Sequence, residues 1–180
     1  MKRILNVPYL SQTDNKLFPT GTCNLTSVAM CLKFYGIVGN GQGQLEDQLT
    51  RFCLDKGLSR HSPIDLVKVL KTYGVNDTFS SSGTIAMIQK QINNGNPAII
   101  HGYFTREGHI ITVIGYDDNG LIVHDPWGEW FNWGYIKNST KEPERGKSLH
   151  YSYGMINQLC SPESNPSANI WVHLVSKDKK

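Results

Sequence analysis

The sequence predicts an α+β fold in which helices of the N-terminal half pack against an antiparallel sheet of the C-terminal half. Over residues 24–93 the apolar positions recur mostly at helical spacing, whereas from Pro97 onward they form short β-branched runs that are typical of strands. Residues 118–120, Asp-Asn-Gly, separate two of these runs and favour a hairpin turn. A chain of this length can bury one sufficient core without disulfides or a structural metal, so residues 1–180 are predicted to form a single domain.

Four stretches have the pattern of amphipathic helices: residues 24–35, 45–57, 63–73 and 84–93. The third has the clearest beginning, because Ser62 can cap the helix and Pro63 suits its first position. Cys31 and Cys53 fall on the apolar faces of the first two helices. We therefore expect these two cysteines to be core residues without chemistry.

Five stretches are predicted to be strands: residues 97–104, 108–116, 121–125, 148–153 and 170–175. Residues 5–10 have the pattern of a short extended segment. Residues 137–147 lack any pattern and are expected to form a surface loop, residues 154–156 are expected to form a turn, and residues 177–180 a frayed basic tail. The aromatic-rich stretch 127–135 is expected to be core, with a substrate cleft as the alternative.

Composition excludes several classes of protein. No apolar run reaches eighteen residues, so we expect no membrane insertion. Asn6 and Pro8 interrupt the N-terminus before a signal sequence can form, which predicts a cytoplasmic protein or one released without a signal peptide. The net charge of +3 is scattered, so nucleic-acid binding is not expected. The four cysteines lack zinc-site spacing and are read as reduced thiols, and we expect a monomer without cofactor or metal.

Cys23 is the strongest candidate for chemistry. It follows a glycine-containing loop at the start of a predicted helix, where the helix dipole and unpaired N–H groups favour a thiolate. Nucleophilic thiol chemistry also needs a base and a group that orients it, and His109 and Asp125 lie on neighbouring predicted strands. Their distances from the hairpin turn are unequal, so their contact requires a β-bulge or a position of Asp125 just beyond its strand. A buried, inert cysteine is the alternative.

Four segments, residues 7–12, 22–30, 108–117 and 123–128, resemble in order the blocks of the peptidase C39-like family, which are papain-fold cysteine peptidases. The resemblance implies that Cys23 is the nucleophile, His109 the general base and acid, and Asp125 the orienting carboxylate. It also implies that Gln12 and the backbone N–H of Cys23 form the oxyanion hole. Within the same blocks we expect Asn24, Gly108 and Trp127 to contact the substrate.

The resulting hypothesis is a cysteine hydrolase that cleaves amide bonds through a thioester. Size, mild basicity and the lack of an export signal favour peptidoglycan peptides as substrate, as for an endolysin of phage or bacterial origin. Since no transporter segment or leader-peptide context is evident, the bacteriocin-processing role of some family members is not expected here. The alternatives are a protein-maturation protease, a metal hydrolase and a non-catalytic binding module. The candidate metal ligands are His101, His109, His124 and Asp125.

Overall fold

The structure is a computed structural model that describes residues 2–161 and 169–178. The described helices are α1 Cys23–Phe34, α2 Leu45–Lys56, α3 Pro63–Thr72, α4 Ile85–Asn93 and α5 Tyr153–Cys160. The strands are β1 Arg3–Ile4, β2 Asn76–Gly83, β3 Ala98–Gly102, β4 His109–Tyr116, β5 Gly120–His124, β6 Gly128–Phe131, β7 Gly134–Lys137, β8 Leu149–Ser152 and β9 Ile170–Ser176. No described helix is both long and apolar enough to cross a membrane.

One antiparallel sheet organises the molecule, with the strand order β2-β9-β3-β4-β5-β8, and β1 pairs with the end of β4. Strands β6 and β7 form a separate hairpin that follows β5 in the chain. The predicted α+β class is confirmed, because helices and a large antiparallel sheet make up the described chain.

The sheet is covered on both faces, since neighbouring strand residues point to opposite sides. Ile99 and Ile110 face a core formed with α1, α2 and α3. Ile100 and Ile111 face a second core formed with α4 and α5. Every residue of β4 is buried, which explains its continuous apolar run and fixes the strand that carries His109 at the centre of the fold.

The four predicted helices and five predicted strands are present, with shifts of a few residues at their ends. The hairpin turn between β4 and β5 is also present, with Asp117 N–H donating to the Gly120 carbonyl at 3.0 Å. Cys31 and Cys53 are buried in the helical core, as expected. The extended segment predicted at residues 5–10 is not a strand: β1 covers Arg3–Ile4, and the N–H of Leu5 adds one hydrogen bond to the Ile114 carbonyl at 2.7 Å.

Three elements differ from the prediction. Residues 76–83 form strand β2 although they are mainly polar, because this edge strand is half-exposed and its ladder to β9 supplies the pairing. The turn expected at residues 154–156 is wrong: Ser152 caps helix α5 by accepting from the N–H of Met155. The aromatic stretch 127–135, expected to be core, lies largely in the β6–β7 hairpin, where its rings are partly buried and Trp133 is 68% exposed. Residues 179–180 of the expected frayed tail lie outside the described residues.

Candidate active site

Cys23 is the first residue of α1, and the loop before it is fixed by side-chain hydrogen bonds. Asn15 donates from Nδ2 to the hydroxyls of Thr22 and Thr26 at 2.9 and 3.0 Å. The Thr22 hydroxyl in turn donates to the carbonyl of Phe18 at 3.1 Å. These short polar residues connect the loop to the first turn of the helix, so the thiol is held in place by local chemistry that the sequence encodes.

His109 and Asp125 are in contact, with Nε2 of the histidine 2.7 Å from Oδ1 of the carboxylate. His109 is the first residue of β4, and Asp125 follows directly after the last residue of β5. The β4–β5 register shifts between Val113 and Gly115, which marks a bulge. The sequence predicts that this contact needs either a β-bulge or a position of Asp125 beyond its strand, and the structure has both. The two side chains are almost completely buried.

The Asp125 carboxylate accepts four hydrogen bonds. Oδ1 accepts from His109 and from the backbone N–H of Trp127 at 3.0 Å. Oδ2 accepts from the hydroxyls of Tyr135 and Tyr151 at 2.9 and 3.1 Å. A buried carboxylate with this many hydrogen bonds is fixed in position, and it fixes the orientation of the His109 ring to which it is bonded.

Tyr135 on β7 and Tyr151 on β8 are site residues that sequence reasoning missed. Burial raises the pKa of both hydroxyls far above the usual value, and the Asp125 charge raises each further. Both therefore stay protonated and act as donors. The only signal in the sequence was the aromatic density after Asp125, which does not separate a hydroxyl aimed at a carboxylate from a core ring.

A second layer holds the backbone of Asp125. The Tyr9 hydroxyl donates to the Asp125 carbonyl at 2.9 Å, and Asn138 Nδ2 donates to that hydroxyl at 2.7 Å and to the Pro126 carbonyl at 3.0 Å. The Asp125 N–H donates to the carbonyl of Gly146 at 2.8 Å. A Cβ atom at Gly146 would lie only 1.8 Å from the Asp125 carbonyl oxygen. The predicted surface loop thus contributes two buried residues to the site.

The Cys23 thiol and the His109 ring interact electrostatically. Burial opposes charge on both groups. At Cys23 the positive charge of His109 outweighs burial and lowers the pKa of the thiol. At His109 the charge of Asp125, followed by that of Cys23, outweighs burial and raises the pKa of the ring. Backbone N–H groups of Ile110 and Asn24 also stabilise the thiolate. Since Asp125 occupies Nε2 of His109, Nδ1 is the ring nitrogen left for the thiol. The arrangement favours a thiolate–imidazolium pair.

Gln12 lies in the same neighbourhood. Its backbone N–H donates to the Pro126 carbonyl and its Nε2 donates to the Pro19 carbonyl, both at 2.9 Å. The Pro19 bond fixes the orientation of the amide and leaves a second N–H on Nε2. Gln12 and His109 line the same groove.

Two grooves meet at His109. The larger has a volume of about 680 Å³ and is lined by His61, Gly102, Gly108, Asn24, His101, Trp171 and their neighbours. The smaller has a volume of about 390 Å³ and includes Gln12, Thr20, Gly21, Gly108 and Trp127. His61, Glu107, Gly108 and His109 line both grooves.

The three predicted substrate contacts lie along these grooves. Asn24 is buried, and its Oδ1 accepts from the N–H of Leu25 at 2.8 Å. Its side-chain oxygen is therefore hydrogen-bonded within the first turn of α1. Gly108 has a φ of +88°, a conformation that glycine adopts without strain. The ammonium group of Lys137 lies over the Trp127 ring, 4.6 Å from the ring centre. Their contact with substrate stays a prediction.

Of the four candidate metal ligands, the structure brings His109 and Asp125 into contact but leaves His101 and His124 with other partners. His124 is buried, its Nδ1 accepts from the N–H of Ser148 at 3.0 Å, and its Nε2 donates to the Val7 carbonyl at 2.9 Å. His101 instead contacts His173. Within residues 2–161 and 169–178, no group of three or more His, Cys, Asp or Glu side chains has an arrangement that could hold a metal ion.

Comparison with known proteins gives a family and a fold. The model of the Peptidase_C39 like family matches residues 4–160. No curated protein matches the chain. Among solved structures, the chain is similar to a double glycine motif protease from an AMS/PCAT transporter, solved in complex with the leader peptide, with a TM-score of 0.57 and 16% identity over 99% of each chain.

Two other solved structures have the same fold. A C39-like peptidase from Bacillus anthracis gives a TM-score of 0.56 and 15% identity, over 100% of this chain and 99% of the other. The peptidase domain of Streptococcus ComA, a bifunctional ABC transporter of a quorum-sensing pathway, gives 0.54 and 15% over 98% of each chain. Identities this low establish a shared architecture only.

Proposed function

Because the chain belongs to the Peptidase_C39 like family, and is a cysteine peptidase of that family, we propose that Cys23, His109 and Asp125 are its catalytic triad. The observation that carries the proposal is the series that runs from the buried Asp125 carboxylate through the buried His109 ring to the partly exposed Cys23. Each group in it has the partner that its role requires.

The proposed reaction begins with attack of the Cys23 thiolate on a peptide carbonyl carbon. The negative charge moves to the carbonyl oxygen, where the free N–H of Gln12 Nε2 and the backbone N–H of Cys23 donate to it. The His109 imidazolium then gives its proton to the departing amine, and the C–N bond breaks. A thioester on Cys23 and a free amino terminus result.

Hydrolysis completes the cycle. Neutral His109 takes a proton from water, the hydroxide oxygen attacks the thioester carbonyl, and the C–S bond breaks to regenerate the thiolate. Asp125 keeps the His109 ring oriented throughout, with its charge held by Tyr135, Tyr151 and the N–H of Trp127. Asp125 itself need not change its protonation state.

We propose an extended peptide segment as the substrate. The two grooves that share His109 supply room on either side of the scissile bond. The similar transporter protease was solved with a leader peptide, which supports a peptide ligand for this architecture. This proposal includes protein maturation, in which an unstructured segment of another chain would enter the grooves.

Peptidoglycan peptides are the second candidate. The net charge of +3 favours association with an anionic polymer such as a cell wall. An endolysin-like protein should clear a suspension of purified walls and release new amino groups. Inert walls together with rapid peptide cleavage would exclude this candidate and retain the first.

The test is mass-spectrometric product analysis with a peptide library and purified peptidoglycan. We expect turnover by the natural protein, none by Cys23→Ala, and near-normal turnover by Cys53→Ala as the matched control, since Cys53 is a buried core thiol with a raised pKa. Circular dichroism of the three proteins checks the fold. Turnover by Cys23→Ala at the natural rate would refute the proposed mechanism.

A further inference from the structure

Outside the proposed triad, a second line of polar side chains crosses three strands of the sheet. Asp77 on β2, His173 on β9 and His101 on β3 lie in series. Asp77 Oδ2 is 2.6 Å from His173 Nδ1, and His173 Nε2 is 3.0 Å from His101 Nε2. The mechanism above uses none of these groups.

The strand register creates this line. Phe79 on β2 and Ile99 on β3 are both paired with His173, so Asp77 and His101, each two residues along its strand, lie on the same face as His173. The side chains of Asp77 and His173 are completely buried, whereas His101 is half-buried and lines the larger groove. The series therefore runs from the core to the substrate side of the molecule.

The charges along the series follow from burial. Oδ1 of Asp77 has no hydrogen-bond partner among the described residues, so its carboxylate depends on His173 for compensation. The Nδ1–H of His173 donates to Oδ2 of this carboxylate. Burial and the charge of His173 lower the pKa of His101 to about 3, so His101 is neutral.

The contact between the two Nε2 atoms links the tautomer of His101 to that of His173. If His173 donates from Nε2, then Nε2 of His101 accepts, and the ring proton of His101 resides on Nδ1. The Nδ1 nitrogen makes no further hydrogen bond to the described residues. A neutral ring of fixed tautomer in the groove can donate one hydrogen bond to a ligand.

The surroundings of His101 define what that ligand is. The Trp171 ring lies 5.9 Å from the His101 ring and is 47% exposed, and it lines the same groove. Phe79 packs beside both histidines. The Ser81 residue adds a further hydroxyl to the wall. An aromatic wall with hydrogen-bond donors suits a planar group that ends in an oxygen acceptor.

We propose that His101 is a specificity residue of the larger groove, which donates from Nδ1 to a carboxamide or carboxylate oxygen on a substrate side chain. His173 and Asp77 are its positioning residues. The inference rests on the proposed peptidase function, because it assigns the larger groove to the peptide. It adds a side-chain preference next to the scissile bond, which the triad alone does not provide.

The tautomer is tested by ¹⁵N NMR of the imidazole rings. In the natural protein we expect the His101 proton on Nδ1. In Asp77→Asn, the amide oxygen accepts from a neutral His173, so Nε2 of His173 becomes an acceptor and the His101 proton moves to Nε2. A natural protein with the proton on Nε2, or a tautomer that does not respond to Asp77→Asn, would overturn the positioning role.

Specificity is tested with matched peptides that carry Gln, Glu or the near-isosteric Met at each position flanking the scissile bond. We expect kcat/KM for Gln or Glu to exceed that for Met by about tenfold at one position, mainly through KM. Gln against Glu separates the amide from the carboxylate. His101→Phe should abolish this preference while the alkylation rate of Cys23 stays unchanged. His150→Phe, which alters an exposed ring bonded to Asp117, is the control.

The outcomes separate the two proposals. A natural protein that cleaves no peptide would refute the proposed function. Cleavage with equal rates for Gln, Glu and Met, or a preference that survives His101→Phe, would overturn the role of His101 and leave the triad intact.

Discussion

The hydroxyl of Tyr135 donates to Oδ2 of Asp125 at 2.9 Å, on the side of the carboxylate opposite to the His109 contact. Tyr135 lies on β7 of the separate β6–β7 hairpin, whereas Asp125 comes directly after β5 of the large sheet. The orientation of His109 depends on this carboxylate, so the β6–β7 hairpin contributes to the geometry of the site.

Removal of the tyrosine hydroxyls should reduce turnover. Tyr135→Phe and Tyr151→Phe each delete one charge-assisted hydrogen bond, typically about 1.5–3 kcal/mol. We expect kcat to fall about tenfold in each variant, with a larger loss in the double variant. Steady-state kinetics measures this. Tyr153→Phe is the control, since its hydroxyl bonds to Gln89 and Asp117 away from the site. A kcat equal to that of the natural protein in every variant would contradict the role of the network.

Activity should depend on pH through the Cys23–His109 pair. The lowered pKa of Cys23 lets the thiolate form below the usual range of a thiol, so activity rises as pH increases through that lowered value. The raised pKa of His109 keeps the imidazolium to higher pH, and activity falls once pH exceeds it, because the leaving amine then lacks its proton. The plateau between these limbs is measurable as kcat/KM against pH.

The same coupling predicts the effect of His109→Gln. Without the imidazolium, burial dominates and the pKa of Cys23 rises, so alkylation at neutral pH should slow by about tenfold or more. Iodoacetamide labelling followed by peptide mapping reports each cysteine separately. Cys53 serves as an internal reference that should label slowly in both proteins. Unchanged labelling of Cys23 would refute the ion pair.

Gln12→Ala should impair the chemical step. Loss of one oxyanion donor typically costs about 3 kcal/mol, or a hundredfold to a thousandfold in kcat. The alkylation rate of Cys23 should stay near normal, because no oxyanion forms in that reaction. A variant with normal kcat would remove Gln12 from the mechanism. Gln89→Ala, on helix α4, is the matched control.

Gly146→Ala should damage both stability and turnover. The added Cβ would collide with the carbonyl oxygen of Asp125, so the loop or the carboxylate must move. Gly154→Ala, in helix α5, meets no atom closer than 3.9 Å and should be neutral or slightly stabilising. Thermal unfolding and kcat of the two variants test the contact. A Gly146→Ala protein with the natural Tm and kcat would show that the loop adapts freely.

Local patterns in the sequence predict much of the fold. The continuous apolar run of β4 predicts a buried strand. Ser62 and Pro63 predict the beginning of helix α3. Strand β2 does not, because its pairing with β9 joins residues far apart in the chain. Helix α5 was missed for a different reason: Gly154 favours a turn, and the local cap that Ser152 supplies outweighs it.

The same division holds at the site. Cys23, His109 and Asp125 could be named from residue types and order, and the structure brings them together. Tyr135, Tyr151 and Asn138 could not, because their roles depend on where a hydroxyl or an amide points after folding. The Asp77–His173–His101 series arises from strand register alone.

The most direct test of the proposed mechanism is detection of the acyl-enzyme. The protein is mixed with a cleavable peptide, quenched in acid within the first turnovers and examined by intact mass and peptide mapping. We predict a mass increase equal to the acyl half of the peptide, located on Cys23 and absent from Cys23→Ala. Turnover without any adduct on Cys23, together with activity of Cys23→Ala, would contradict the account.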